Sequence, residues 1–476
     1  MAIRLKQEGI DDFVVLERAD DIGGTWRDNT YPGCQCDVPS HLYSFSFAPN
    51  PDWSRTFSQQ PEIWAYLRRC AEEHGVTPHI RFAHELIEAA WDDDLRRWCI
   101  QTSQGELTAQ VLVTGMGALS DPSVPPLEGL DTFRGTVFHS AAWDHDHDLS
   151  GERVAVIGTG ASTIQFLPQI QPQVGRLHLF QRTPPWILPD PDRAVTSLER
   201  RLYRRLPAVQ RVVRGAIYWG RESFVLGFRN VRAMRLPGRL ARAHLHRQVR
   251  DPGLRAKLTP DYTIGCKRIL ISDDYYPALT QPNVELVTAP VREVRPRSIL
   301  DGDGVEREVD TIIFGTGFHV TDMSAGERIR GRDGALLAET WHGSPQAHRG
   351  TTIAAFPNLF MLVGPNTGLG HTSMVFMIES QVAYVIESLR YMERAGVATV
   401  EVRPEAQARF NDRVQQAMQG TVWTSGGCAS WYLDQSGKNT TLWPGFTWRF
   451  RRETRRFDPG EYLTQRAAPR REVIRV

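Results

Sequence analysis

Two segments of this chain follow the order strand, glycine turn, helix, strand, a pattern that predicts an α/β fold of two Rossmann-like units with a helical insertion in the second. The complete segment starts at Arg153-Val-Ala-Val-Ile157, a short continuous apolar run, and turns at Gly158-Thr159-Gly160-Ala161-Ser162. It continues through a helix from Thr163 to Ile170 into the strand from Arg176 to Phe180. The insertion is read from the Arg-rich stretch Ser197 to Lys257, where Leu198, Leu202 and Leu206 recur at helical spacing.

The incomplete segment opens the chain. Ala2 to Gln7 read as the last turns of a helix, Gly9 as its C-terminal cap and Phe13 to Glu17 as the next strand. In dinucleotide folds the acid ending that strand follows the glycine turn by about 20 residues, so the turn is expected ahead of Met1. Arg81 to Thr102 and Gln110 to Thr114 read as a β-meander and a strand, followed by the Pro-rich link Asp121 to Pro126. Past Asp310 come Thr311-Ile-Ile-Phe-Gly-Thr-Gly317, the run Phe356 to Val363 and a long helix from Ser373 to Ala395. The expected division is a first, N-terminally incomplete dinucleotide-type unit over 1–147, a second unit over 148–325 with its insertion at about 195–257, and a return to the first unit with a substrate-side region over 326–476.

Hydrophobic residues make up 41% of the 476 and charged residues 23%, which excludes a mostly disordered chain. A net charge of +1 gives no global attraction for nucleic acid, and the Arg-rich insertion and C-terminus read as solvated surface. No apolar run approaches the roughly 18 residues of a membrane span, and the start has no signal-peptide pattern, so a cytoplasmic protein is expected. Six scattered cysteines in a chain of this size predict reduced thiols.

The turn Gly158-x-Gly160-x-x-Thr163 is a weak string alone, but it lies between a buried strand and a helix, where backbone N–H groups and the positive helix end can hold a pyrophosphate. The next strand ends in Gln181-Arg182-Thr183 instead of an acid; Arg182 attracts a 2′-phosphate, which favours NADPH over NADH, while the bland alternative is a surface charge. Glu17, followed by Gly23-Gly24-Thr25-Trp26, suits the ribose hydroxyls of an adenine dinucleotide or, equally, a capping role beside a glycine turn.

The most specific string is Phe133-x-Gly135-x-x-x-His139-x-x-x-Trp143-Asp144, in the stretch read as linker before Arg153. It matches the fingerprint of the Baeyer–Villiger monooxygenases, and the chain resembles that family over nearly its whole length, through Tyr31 to Asp37, Gln181 to Trp186, Gly265 to Arg268, Asp310 to Gly317 and Phe356 to Phe360. The resemblance implies FAD held by Glu17, Gly24, Thr25, Trp26, Asp37 and Tyr43, with the Leu86 backbone near the adenine. It implies NADPH along Gly158, Thr159, Gly160, Ala161, Ser162, Thr163 and Gln165, with Arg182, Thr183 and Lys267 at the 2′-phosphate and Gln35, Cys36 and Asp37 near the other end. Arg268 matches the active-site arginine, next to both cofactors, and Asp37 would orient it; His139 and Trp143 resemble residues that couple the two units. The implied reaction passes hydride from NADPH to FAD, activates O2 there and inserts one oxygen beside a ketone carbonyl, giving an ester or lactone. Cyclic, aromatic and linear ketones all remain open.

A flavin monooxygenase acting on soft nitrogen or sulfur shares the fold and both cofactors, but the Trp143-Asp144 ending and the Lys267-Arg268 pair argue against it. A disulfide reductase needs a redox cysteine pair soon after the first glycines, and Cys34-Gln-Cys36 has the wrong spacing; as a zinc half-site it lacks a second pair. An inactive remnant that binds only NADPH follows if the first glycine loop is truly missing. The C-terminal aromatics, Trp431, Tyr432, Trp443, Phe446 and Trp448, suit either a lid over the ketone or interface packing.

Overall fold

The apolar runs of the second unit assemble into one five-stranded sheet in the order Val284–Val287, Arg176–Phe180, Arg153–Ile157, Thr311–Phe314, Thr136–His139, every neighbouring pair parallel. Val154 to Val156 and Ile312 to Phe314 are buried, as strands covered on both faces must be, which is why their sequence does not alternate. The helix Ala161–Ile170 crosses from one central strand to the next and buries Ile164, Phe166, Leu167 and Ile170. Strand order reverses beside Arg153–Ile157, so the turn Gly158 to Gly160 lies at the switch point where such sheets take up nucleotides. Thr136–His139, read from sequence as linker, is the edge strand of this sheet.

The computed structural model describes residues 1–117, 119–320 and 324–466; the end of the Arg-rich tail, from residue 467, lies outside them. The opening helix Ala2–Gln7 ends with Gly9 at φ +75°, as expected. Of the expected strand Phe13 to Glu17 only Val15–Leu16 is regular, paired in parallel with Ile80–Arg81. Leu112–Thr114 pairs in parallel with Leu359–Met361, and the meander Leu86–Asp92, Arg97–Thr102, Gly105–Ala109 gains Ile329–Arg330 at its edge. Met374–Ala395 forms the long helix, with the Ser373 hydroxyl accepting from the Val375 N–H and Gly396 at φ +61° closing it.

The insertion is helical throughout, with Ser197–Arg205, Pro207–Glu222, Phe224–Phe228, Arg235–Gln248 and Pro252–Lys257. Thr196 and Glu199 start it with a reciprocal capping box. The reduced-thiol expectation is corrected at one pair: Cys266 and Cys428 form a disulfide, while Cys34, Cys36, Cys70 and Cys99 are free. A separation of 162 residues hid the pair; the loops meet because the Thr263 N–H donates to the Gly426 carbonyl at 2.9 Å.

Candidate functional site

Asp37 ends the loop Tyr31 to Asp37, and that loop is tied to the first helix of the second unit. Gly33 takes φ +76° and passes so close to the Gln165 carbonyl that a Cβ would sit 2.8 Å from it. The Gln165 side chain accepts from the Tyr31 hydroxyl at 2.9 Å and from the Gln35 N–H at 3.3 Å, and donates to the Gln35 carbonyl at 3.0 Å. Opposite Asp37 is Arg268, whose Nε and Nη2 donate to the two carboxylate oxygens at 2.6 and 2.5 Å. Burial alone would raise the Asp37 carboxyl, but the guanidinium outweighs it and holds the group below its ordinary value. Asp37 in turn raises Arg268, which stays charged. Tyr432 packs beside the pair in an apolar cluster with Trp186, Phe228, Tyr262 and Trp423, and burial pushes its phenol up to about 12. The lid reading of the C-terminal aromatics therefore divides: Tyr432 lines the site, Trp443 packs with Phe410 and Phe450 elsewhere, and Trp431 is exposed.

The helix Ala161–Ile170 starts at Gly160 with no side-chain cap, which leaves the first N–H groups, those of Ala161, Ser162 and Thr163, to a ligand. Gly158 takes φ +110°, and a Cβ there would meet the Gly315 carbonyl at 2.4 Å. The Thr159 hydroxyl donates to the Thr183 carbonyl at 3.1 Å, joining the turn to the end of the next strand. Burial first and the nearby Arg182 charge second depress the Lys267 ammonium, and the Asp261 carboxylate offsets them only in part. Two neighbouring cations, only partly offset by Asp261, fit the 2′-phosphate of NADPH.

Glu17 accepts from the Ala19 N–H and from Arg27, both at 3.0 Å. Beside it, a cavity of about 420 Å³ has a mixed lining in which Arg18, Arg27, Asn29 and Ser120 suit the ribose and diphosphate of FAD, Asp28 is paired with Arg27, and Phe318 is apolar. Gly24 caps the short helix that carries Thr25 and Trp26, and the Trp26 indole donates to the Tyr43 hydroxyl at 3.0 Å. Cys36 is buried beside them, its thiol pushed up by burial first and by Asp37 second. The Leu86 carbonyl accepts from Arg328 at 2.6 Å.

The fingerprint residues belong to the edge of the second sheet. Phe133 packs against a core cluster containing Val294 and Ile299, and a Cβ on Gly135 would sit 2.0 Å from the Asp310 carbonyl. The His139 ring is buried, accepts from the Ala141 N–H at 3.1 Å and packs edge-on to Phe318, which lines the cavity beside Glu17. Trp143 bridges Phe138 on the edge strand and Phe166 on the nucleotide helix, while Asp144 accepts from the Asp146 N–H at 3.1 Å. Sequence reasoning missed Asp192. Its nearly buried carboxylate binds Arg55, the Thr56 hydroxyl and the Phe57 N–H, clamping the second unit to the first. Those partners lie 135 to 137 residues away, and no local spacing announces them.

A flavin-binding monooxygenase-like family model matches residues 4–198. A Baeyer–Villiger monooxygenase of Streptomyces coelicolor is 56% identical over 98% of this chain and 91% of its own length. One of Pseudomonas aeruginosa is 55% identical over 97% of this chain and 88% of its own. Among solved structures, a closed cyclohexanone monooxygenase superposes with a TM-score of 0.87 at 30% identity, covering 98% of this chain and 96% of that one. The cyclohexanone monooxygenase of Rhodococcus sp. Phi1 bound to NADP+ gives a TM-score of 0.86 at 30% identity, covering 98% of this chain and 97% of that one. By this likeness over nearly its full length, with the fingerprint spanning the edge strand Thr136–His139 and its flanks, the chain belongs to the Baeyer–Villiger monooxygenase family.

Proposed function

We propose that this enzyme uses FAD, NADPH and O2 to insert one oxygen atom beside a ketone carbonyl, giving an ester or lactone, with Arg268 as its active-site cation and Asp37 as the residue that positions it. The supporting observation is the bidentate Asp37–Arg268 pair where the two units meet. FAD, when bound, supplies the redox chemistry with O2, and NADPH supplies the hydride. Arg268 spends two of its five N–H donors on Asp37 and keeps the others for an oxygen that gains negative charge as the ketone reacts. Such a donor stabilises the developing charge by about 3 to 4 kcal/mol. Gln165 holds the Asp37 loop at the right depth, Arg182 and Lys267 hold the far end of NADPH, and Tyr432 with its aromatic neighbours forms an apolar wall beside the partly exposed pair. A cytoplasmic place of work fits a need for NADPH and the lack, among the described residues, of a helix long and apolar enough to cross a membrane.

The test is a reaction of the FAD-loaded protein with NADPH, a cyclic ketone and isotopically labelled O2. A lactone carrying one labelled oxygen per NADPH consumed supports the proposal. Oxidation of amines or sulfides with the ketone untouched overturns it.

A further inference from the structure

The helical insertion carries a feature that the reaction does not use. Between residues 197 and 257 stand sixteen basic and three acidic residues, a net of +13 in a chain whose total is +1. The three acids are elsewhere engaged or remote: Glu222 is buried against His371 and Thr447, Glu199 pairs with Arg193, and Asp251 caps the helix Pro252–Lys257. On the same insertion, large apolar side chains stand in solvent, with Leu236 at 74%, Leu226 at 62%, Trp219 at 61% and Leu240 at 54% exposure. Arg229, Arg232, Arg235 and Arg239 flank them in sequence, are exposed, and form no ion pair among the described residues. A solvated helix face would put polar groups where these leucines and the tryptophan stand.

We propose that this face of the insertion docks on an anionic lipid bilayer. Apolar side chains interleaved with unpaired arginines are the chemistry of an interfacial surface, in which Leu and Trp enter the acyl boundary and guanidinium groups meet lipid phosphates. A second copy of the same face across a two-fold axis would set Arg229, Arg232, Arg235 and Arg239 against the same four like charges. A nucleic-acid backbone would use the arginines and leave the apolar side chains in water. Docking of this kind needs no span, and no helix of the described residues is long and apolar enough to cross a membrane. The face also borders the reaction site. Phe224, half exposed at its edge, lies under the Arg221 guanidinium at 5.8 Å, and the charges of Asp37 and Arg268 act on Arg221. An enzyme seated this way takes apolar ketones from the bilayer; that consequence rests on the site assigned above, whereas the docking does not.

Flotation of the full chain with vesicles tests the docking, using phosphatidylcholine alone and phosphatidylcholine with about a third phosphatidylglycerol. The expected result is at least about tenfold more protein on the anionic vesicles, lost at high salt. The paired variant Leu236→Ser with Leu240→Ser should lower that retention by about tenfold and leave NADPH affinity unchanged, which shows that it folds. Equal retention on both vesicles, or none on either, overturns the proposal. So does retention that survives the serine variant, which would mark a general polyanion surface, or a lipid-free dimer that the same variant dissociates.

Discussion

Arg268 and Asp37 face one another as a two-point pair, Nε to Oδ2 at 2.6 Å and Nη2 to Oδ1 at 2.5 Å, across 231 residues of sequence. The fork of a guanidinium matches a carboxylate in one plane, so this geometry fixes the orientation of the arginine as well as its place. Arg268→Ala should lower ketone turnover by about 10² to 10³ while anaerobic flavin reduction by NADPH changes far less. Arg268→Lys keeps the charge but loses the fork, and should recover only part of the rate. Steady-state product formation set beside the anaerobic reduction rate separates the two steps; equal losses in both would contradict a role at the oxygen-inserting step.

Burial and the neighbouring Arg182 charge lower the Lys267 ammonium, and Asp261 offsets them only in part, so an arriving phosphate relieves the cost of its charge. Arg182→Ala should raise KM for NADPH by about ten- to a hundredfold and leave KM for NADH nearly unchanged. Lys267→Ala should act in the same direction. An equal rise with both nicotinamides would move the 2′-phosphate elsewhere.

The legible parts were those whose signal is local. The run Arg153 to Ile157, the turn at Gly158 and Gly160, the capping glycines Gly9 and Gly396 and the long helix after Ser373 each declare themselves within a few residues, because backbone conformation and burial act at that range. Asp37 and Arg268 were legible only through a family resemblance, since nothing near either residue names the other. Thr136–His139 was read as linker because an edge strand of four residues after a Pro-rich link has too short a pattern to declare itself. Asp192 and the Cys266–Cys428 pair are products of tertiary contact, and sequence spacing carries no trace of them.

Glu285 accepts from Arg307 Nε and Nη2 at 3.0 and 2.8 Å and meets the His178 ring at 2.9 Å. The hydrogen bonds from Arg307 lower its carboxyl from 4.5 to about 2. A carboxyl depressed in the folded state stabilises it above the unfolded value and loses that contribution as pH falls. Glu285→Gln should therefore cost about 1 to 2 kcal/mol at neutral pH, after allowance for solvent screening. The difference between the two proteins should shrink as pH drops below 4.5 and vanish near 2. Urea midpoints measured between pH 7 and pH 3 would show this narrowing; a constant difference would mean that the glutamine disturbs packing instead.

Gly135 precedes the edge strand, and the Asp310 carbonyl occupies the space a side chain would need, 2.0 Å from a Cβ. That carbonyl also accepts from the Thr136 N–H at 3.1 Å, so the clash falls on the pairing of Thr136–His139 with Thr311–Phe314. Gly135→Ala should destabilise the protein by about 2 to 4 kcal/mol, in the range of severe overpacking against backbone. Because His139 ends that strand and Trp143 follows it after one short turn, the alanine variant should also lose coupling between NADPH oxidation and ester formation. Unchanged stability would mean that the edge strand yields freely.

Cys266 immediately precedes Lys267 and Arg268, so its disulfide to Cys428 ties the loop that carries both cations to the C-terminal segment that carries Tyr432. Gly426 reinforces the contact, since a Cβ there would meet the Cys266 Cβ at 2.7 Å. Unfolded under alkylation without reductant, the protein should expose four reactive thiols, Cys34, Cys36, Cys70 and Cys99, and all six after reduction. Cross-linking a loop of 162 residues restricts the unfolded chain, so Cys428→Ser should cost about 2 to 5 kcal/mol of stability. The same variant should lower both ketone turnover and NADPH affinity, because the loop it frees carries Arg268 and Lys267 together, with Arg182 beyond the strand Arg176–Phe180 retaining part of the hold on the 2′-phosphate. Six thiols labelled without reductant would show the pair reduced in the purified enzyme, and the Thr263–Gly426 hydrogen bond would then carry the junction alone.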